Sequence, residues 1–367
     1  MKRFRHKILS LFLAAAMLSL LLAGCGSDNS KTAKESSSAK EDIETAGNSI
    51  GQESGTDALD ETEALEKAAV RVGGLKGPTS MGLLFLKEKS EAGEAGQNYE
   101  FSMFTAADEL ITQVVKGEVD IALIPANTAS VLYNKTGGGI SAIDINTLGV
   151  LYMVSGDSSV ESIQDLKGRT VYLTGKGTTP DYVLHYLLAG NGVSLSEVEL
   201  EYKSEASEVA ALLAKNPQNI GLLPQPFVTA ACAQNENLNV ILDMNEQWEA
   251  LQGDGGSRLV TGVTVVRNDF LEKNEEAVRI FMQEHRESTE AINADVPKGA
   301  ELVVSAEIVA KAPIAQKAIP KCNITYIDGE EMKQAISGYL QVLFEQNQEA
   351  VGGALPAEDF YYILRDE

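Results

Sequence analysis

The chain has 367 residues, with 53 Asp and Glu against 30 Lys and Arg and a formal net charge of -23. So acidic a chain has no electrostatic hold on a nucleic-acid backbone or on an anionic membrane surface, which excludes both as charge-driven partners. Hydrophobic residues at 44% and aromatics at 6% describe a globular body, and the length leaves room for two separate cores. The three Cys and three His fall at no metal-ligand spacing, so neither a metal nor a cofactor is expected.

In chain order, Lys2, Arg3, Arg5 and Lys7 form a basic start, and Ile8 to Leu22 is an almost unbroken apolar run. The run is short for a membrane span and has the length of a signal-peptide core. It ends in Leu22-Ala23-Gly24-Cys25, which resembles the lipobox of bacterial exported lipoproteins. The resemblance implies a signal peptide over 1–24, a diacylglycerol on the Cys25 thiol, and anchoring at the extracytoplasmic face of the cell membrane. The following Ser-, Thr-, Gly-, Lys- and Glu-rich stretch has too little apolar surface to offset its ordering entropy. Residues 25–68 therefore form a flexible acidic tether, with a short helix near Ala58 to Ala69.

From Val70 strand and helix patterns alternate. Val70–Gly74, Tyr99–Thr105 and Asp120–Pro125 are predicted strands, and Ser80–Lys89 and Ala107–Lys116 predicted helices. The second helix carries Leu110, Ile111, Val114 and Val115 on one face, with Gly117 to stop it. Further on, Thr170–Thr174, Val198–Tyr202, Asn219–Leu223 and Asn239–Asp243 are predicted strands, separated by helices at Pro180–Ala189, Ser207–Lys215 and Pro226–Asn235. Such alternation specifies an α/β fold with mostly parallel sheets flanked by helices.

The second series repeats the first. Asp120 to Pro125 is echoed by Asn219 to Pro224, and Gly74 to Ser80 by Gly175 to Pro180, both at an offset of about one hundred residues. Two runs must carry the chain between the copies: Leu148–Ser155, and Arg258–Arg267 just before a long amphipathic helix at Asp269–Asn293. Lobe one is then 69–150 with 260–367, and lobe two is 151–259. A lobe left and re-entered in this way makes a clamshell that can close on a ligand.

In open parallel sheets ligands bind beyond the carboxyl ends of strands, at helix N-termini. The loop Gly175-Lys176-Gly177-Thr178-Thr179-Pro180-Asp181 fits, with Thr178 or Thr179 at the cap and Pro180 in the first turn. It is either a helix cap or an anion-binding terminus, and it lacks the ending of a phosphate-binding P-loop. Lys176 is either a charged ligand group or a solvated loop lysine. Facing it are Gly77, Pro78, Thr79 and Ser80, then Thr105, Asn127 with its paired donor and acceptor, and Gln225 between two prolines. Trp248 and Tyr152 either stack on a planar ligand or pack in the core or hinge. His185 and His285 are structural or solvated, Cys232 and Cys322 buried free thiols, and no residue stands out as catalytic.

Lys116-Gly117-Glu118-Val119-Asp120-Ile121-Ala122, Leu166-Lys167-Gly168 and the Gly175 to Asp181 loop resemble the nitrate, sulfonate and thiamine-pyrimidine branch of ABC substrate-binding proteins. The likeness runs from about Val70 to Met244. It implies a type II periplasmic-binding fold and a monomer that captures a sulfonate-like or pyrimidine-like molecule. Its partners would be an ABC permease and the ATPase that drives it. The loops at Gly77–Ser80, Thr105, Asn127 and Thr178–Thr179 match the positions where that family holds ligand. The alternatives are an enzyme on the same fold, in pyrimidine-precursor or chorismate-derived chemistry, and a ligand-sensing lipoprotein.

Overall fold

The computed structural model describes residues 69–253 and 256–364. The signal peptide, Cys25 and the tether lie outside the described residues. Of the short helix expected near Ala58 to Ala69, only Ala69 is described, and it opens a strand.

The chain begins with β1 (Ala69–Leu75), a 3₁₀ turn (Pro78–Leu83), α1 (Leu84–Glu91), β2 (Asn98–Phe104), α2 (Ala107–Lys116), β3 (Ile121–Pro125), α3 (Ala126–Thr136) and β4 (Ile140–Leu148). After Gly149 and Val150 come β5 (Leu151–Ser155), β6 (Thr170–Thr174), α4 (Thr179–Gly190), β7 (Glu199–Lys203), α5 (Ala206–Lys215), β8 (Ile220–Pro224), α6 (Phe227–Gln234), β9 (Asn239–Asp243) and α7 (Met244–Gln252). The remainder is β10 (Val260–Arg267), α8 (Asn268–Leu271), α9 (Glu275–Ala294), α10 (Val296–Ser305), α11 (Ala312–Ala318), β11 (Ile324–Ile327) and α12 (Gly329–Gln346).

The strands form two sheets, ordered β11-β4-β10-β3-β1-β2 and β7-β6-β8-β5-β9. In each, the first strand of a βαβαβ run lies between the next two: β1 pairs in parallel with β2 and β3, and β6 with β7 and β8. The echoed sequence strings therefore occupy equivalent places in one repeated wiring.

Strand direction locates the crossings. β5 runs antiparallel to β8 and β9, and β10 antiparallel to β3 and β4. Each is the strand that directly follows a passage between sheets. Leu151 at the start of β5 opposes Pro224 at the end of β8, and Gly262 near the start of β10 opposes Pro125 at the end of β3. Both passages thus lie at the carboxyl ends of the parallel strands, which is where such sheets bind ligands.

Several elements differ from the sequence expectations. The helix expected at Ser80–Lys89 begins as a 3₁₀ turn and becomes α-helical only at Leu84. The cause is Ser288 of α9, whose hydroxyl donates to Gly82 O (2.6 Å) and accepts from Leu86 N (2.9 Å), so a side chain stands inside the i to i−4 ladder. The single helix expected at Asp269–Asn293 is two. Asn274 turns its Nδ2 onto Phe270 O (3.1 Å) and closes α8 before α9 starts. β4, which sequence patterning did not reveal, is buried along almost its whole length between β11 and β10.

The C-terminal segment packs across both lobes. Asn347 Nδ2 donates to the Tyr182 hydroxyl (2.8 Å), and Tyr339 of α12 lies 5.8 Å from the Trp248 ring. Trp248 is fully buried, donates to Ser257 O (3.0 Å) and stands 4.5 Å from Tyr186. The Tyr152 hydroxyl donates to Lys321 O (2.7 Å). Of the two roles open to these aromatics, packing at the lobe junction is the one the contacts describe.

Candidate ligand site

At the carboxyl ends of the first sheet the backbone leaves polar side chains inside the protein without partners. The chain leaves β1 through Gly77 and Pro78, and Pro78 starts the 3₁₀ turn that carries Thr79 and Ser80 inward. Both are buried, and neither hydroxyl has a hydrogen-bond partner. Thr79 lies over Gly262, where a Cβ would stand 2.6 Å from Thr79 Cγ2 and 2.4 Å from Asn146 Oδ1. Glycine at 262 is therefore what lets the β1 loop and β4 approach each other across β10. Asn146 Oδ1 and the Thr147 hydroxyl are likewise buried and unpartnered.

The second sheet contributes Gln225, which follows β8. Its backbone N donates to Val150 O (2.9 Å), inside the first crossing and three residues from Thr147. Its side chain is 1% exposed, and Nε2 has no partner. An unmade hydrogen bond on a buried polar group costs about 1–3 kcal/mol, so buried polar groups left unpartnered near these strand ends call for a ligand or ordered water.

Behind Asn146 runs a chain of buried bonds. Asn146 Nδ2 donates to Thr264 Oγ1 (3.2 Å), Thr264 donates to Asp144 Oδ1 (2.6 Å), and His285 Nδ1 lies 3.0 Å from Asp144 Oδ2. His285 is fully buried, so of the two roles sequence left open it takes the structural one.

The lobe-two loop is built differently. Lys176 and Thr178 are exposed, and Lys176 Nζ stands 5.3 Å over the Tyr202 ring. Thr178 occupies the cap position of α4, but its hydroxyl donates back to Gly175 O (2.6 Å) and does not cap the helix. The carboxylate at the helix start is the chain's own. Buried Asp181 accepts from Gly177 N (2.7 Å) and the Tyr202 hydroxyl (2.6 Å), and its Oδ1 lies 3.0 Å from His185 Nε2. Thr179 is hydrogen-bonded to Tyr339 of α12.

Of the residues selected from sequence, the structure brings Thr79 together with Asn146 over Gly262, seats Ser80 against Gly74 at the end of β1, and sets the Gln225 backbone against the crossing. Gly77 faces open space, since a Cβ there would meet no atom within 4 Å. Asn127 is half-buried at the start of α3, behind Pro125, which pairs with Gly262. Thr105 is exposed after β2, the edge strand farthest from the crossings. Sequence reasoning missed Asn146 and Thr147. The available signal was polar residues at the end of an otherwise apolar run, just before the expected hinge.

Cys232 and Cys322 are free, and burial pushes the Cys322 thiol up to about 12. Among the described residues no group of His, Cys, Asp or Glu is placed to hold a metal ion, and no helix is long and apolar enough to cross a membrane.

Two α/β lobes of repeated wiring, joined twice at the carboxyl ends of their strands, define the class of two-lobed substrate-binding proteins. A crystal structure of an ABC transporter protein from Parabacteroides distasonis superposes with TM-score 0.68 at 25% identity, covering 81% of this chain and 99% of that one. The aliphatic sulphonate binding protein SsuA of Escherichia coli gives 0.61 at 15% identity over 77% and 93% of the two chains. The alkanesulfonate-binding protein SsuA of Xanthomonas axonopodis, solved with MOPS, gives 0.56 at 14% over 80% and 96%. No curated protein matches significantly by sequence.

Residues 88–292, more than half of the chain, match the family model described as ABC transporter, phosphonate, periplasmic substrate-binding protein. The chain belongs to that family, and is a periplasmic substrate-binding component of an ABC importer.

Proposed function

We propose that this protein captures a small polar or anionic organic molecule between its lobes and delivers it to a permease driven by an ATPase. The carrying observation is the set of buried, unpartnered polar atoms on Thr79, Ser80, Asn146, Thr147 and Gln225, residues that end or follow β1, β4 and β8. Lobe one is 69–150 with 260–367, and lobe two is 151–259. Gly77, Pro78, Asn127, Lys176, Thr178 and Thr179 lie on the strand-end loops around these residues, with Thr105 farthest out on the edge strand. These groups hydrogen-bond a ligand but supply no nucleophile or general base, which favours binding over catalysis.

The protein works as a monomer held by a lipid on Cys25. Metabolic lipid labelling tests the anchor: Cys25→Ser abolishes labelling, and unchanged labelling in that variant contradicts it. For the binding function, scanning fluorimetry against a metabolite panel finds a compound that raises the melting temperature. Small-angle scattering with that compound at saturation then gives a smaller radius of gyration. Proven binding with an unchanged scattering curve refutes closure, and no stabilising compound in a broad panel refutes the function.

A further inference from the structure

The two faces of the sheets are joined across the lobes in different ways, and strand alternation tells the faces apart. On β5, Leu151 and Met153 enter one core while Tyr152 and Val154 enter another. On β10, Val263 and Val265 belong to the same core as Leu151 and Met153, and Val266 to a core of the opposite face. On the first face a single apolar core runs from Ile124 and Val263 of lobe one to Leu173 and Leu184 of lobe two. α12 is its bridge. Tyr339, Leu340 and Leu343 lie in that core, and the helix packs on α3 in one lobe and on α4 in the other. Trp248 of α7 sits in the same core, beside Tyr186 and Tyr339.

Among the described residues, the cores of the second face stop at the lobe boundary. Met81, Ile319 and Cys322 pack within lobe one, and Tyr152, Leu223 and Val228 within lobe two. The boundary is crossed there by α11 lying against α6, and by the Tyr152 hydroxyl donating to Lys321 O (2.7 Å). Phe227, at the start of α6, is left 42% exposed. Parting a fused apolar core bares large side chains to water, at a cost proportional to the area exposed. Parting one hydrogen bond and a half-exposed helix contact lets water replace what is lost, at little net cost.

We propose that the lobes pivot on α12 and part between α6 and α11, so that the cleft opens on one face only. Thr79 and Asn146 meet over Gly262, on the side of β10 opposite Val263 and Val265, so the edge that parts is the one that leads to them. The loop before α4 stays beside the pivot, where Thr179 bonds Tyr339.

This assignment gives a direction to the lobe closure proposed above and rests on that reading, but its test needs no ligand. Spin labels are attached through p-acetylphenylalanine, which spares the native thiols, at exposed positions of the full chain. One pair is Ala233 on α6 with Lys317 on α11, and the other Ala189 on α4 with Gln346 on α12. In ligand-free protein, pulsed electron–electron distance measurement is expected to give a single narrow peak for α4–α12. For α6–α11 it should give a broad or two-peaked distribution, with a population at longer distance. Trp248, the only tryptophan of the chain, reports on the pivot without labels: acrylamide should quench it far less in folded protein than in urea. A broad α4–α12 distribution, two narrow distributions, or a Trp248 as open to acrylamide as in urea overturns the assignment. None of these results touches ligand capture, which the metabolite panel tests, and failure of that panel would remove the function while leaving both distance distributions as they are.

Discussion

The loops after β1 and β6 hold equivalent places in the repeated wiring, yet they satisfy their polar groups in opposite ways. After β6, Thr178 bonds Gly175 O, while Asp181 takes Gly177 N and the Tyr202 hydroxyl and lies against His185, so the loop meets most of its needs internally. After β1, Thr79 and Ser80 are carried inward and left without partners. Lobe two places its unpartnered groups elsewhere, on Gln225 one strand over behind β8 and on Asn245 of α7. A repeated fold therefore does not imply a repeated site. The side toward which each loop turns its hydroxyls decides whether a strand end stabilises the protein or recognises a ligand.

Substitutions that remove one group from each setting sharpen this contrast. The largest effect is expected at Asp181. Asp181→Ala leaves the Tyr202 hydroxyl and Gly177 N without their acceptor and should cost about 3 kcal/mol of stability in urea denaturation, with a smaller change in ligand affinity. A loss of affinity greater than the loss of stability would show that the lobe-two loop is ligand-facing after all.

Next comes Glu284, a buried acid on α9 that is fully partnered. Burial alone would raise its pKa, but hydrogen bonds from Lys89 (2.9 Å), Gly96 N (2.8 Å) and the Tyr99 hydroxyl (2.8 Å) hold it below the usual range. A depressed carboxylate contributes stability that is present above its unfolded pKa, about 4.3, and lost as pH falls through the folded value. Glu284→Gln should cost about 2 kcal/mol at neutral pH and flatten the acid side of the melting curve. An unchanged acid profile would contradict the role given to this carboxylate.

At Thr79 the sign reverses. Thr79→Val keeps the shape and removes an unpartnered hydroxyl, so stability should hold or rise by about 1 kcal/mol while ligand affinity falls about tenfold. A clear loss of stability with affinity intact would make Thr79 structural. The smallest effect is expected at Thr178, where alanine removes only the bond to Gly175 O. About 0.5 kcal/mol of stability and at most about a threefold change in affinity should follow; a tenfold loss of affinity would restore this loop to the centre of the site.

Much of the fold was legible because apolar periodicity changes sharply between elements. α2 has the predicted bounds, Ala107–Lys116, since its apolar face is regular and Gly117 ends it in the left-handed region at φ 78°. β9 likewise matches at Asn239–Asp243. β4 was hidden because Ser141, Asp144, Asn146 and Thr147 interrupt its apolar pattern, and those residues are buried for reasons that lie in other elements. His285 of α9 partners Asp144, Thr264 of β10 partners both Asp144 and Asn146, and no local pattern predicts such contacts. Of the candidate site, the strand-end rule selected Thr79, Ser80 and Gln225, which the structure buries without side-chain partners for Thr79 Oγ1, Ser80 Oγ and Gln225 Nε2. It could not reveal which strand ends leave polar atoms unpartnered, because that depends on packing between elements far apart in sequence.

The central claim is that the unpartnered atoms at the junction are the ligand site. Its most direct test is calorimetric titration of the Thr79→Val, Gln225→Leu double variant with a compound that stabilises the wild type. One group from each lobe is then removed, and two lost hydrogen bonds to the ligand should weaken binding about a hundredfold, while stability without ligand falls by about 1–3 kcal/mol because Gln225 Oε1 no longer accepts from Thr229 N and its hydroxyl. Wild-type affinity in a folded double variant would contradict the account.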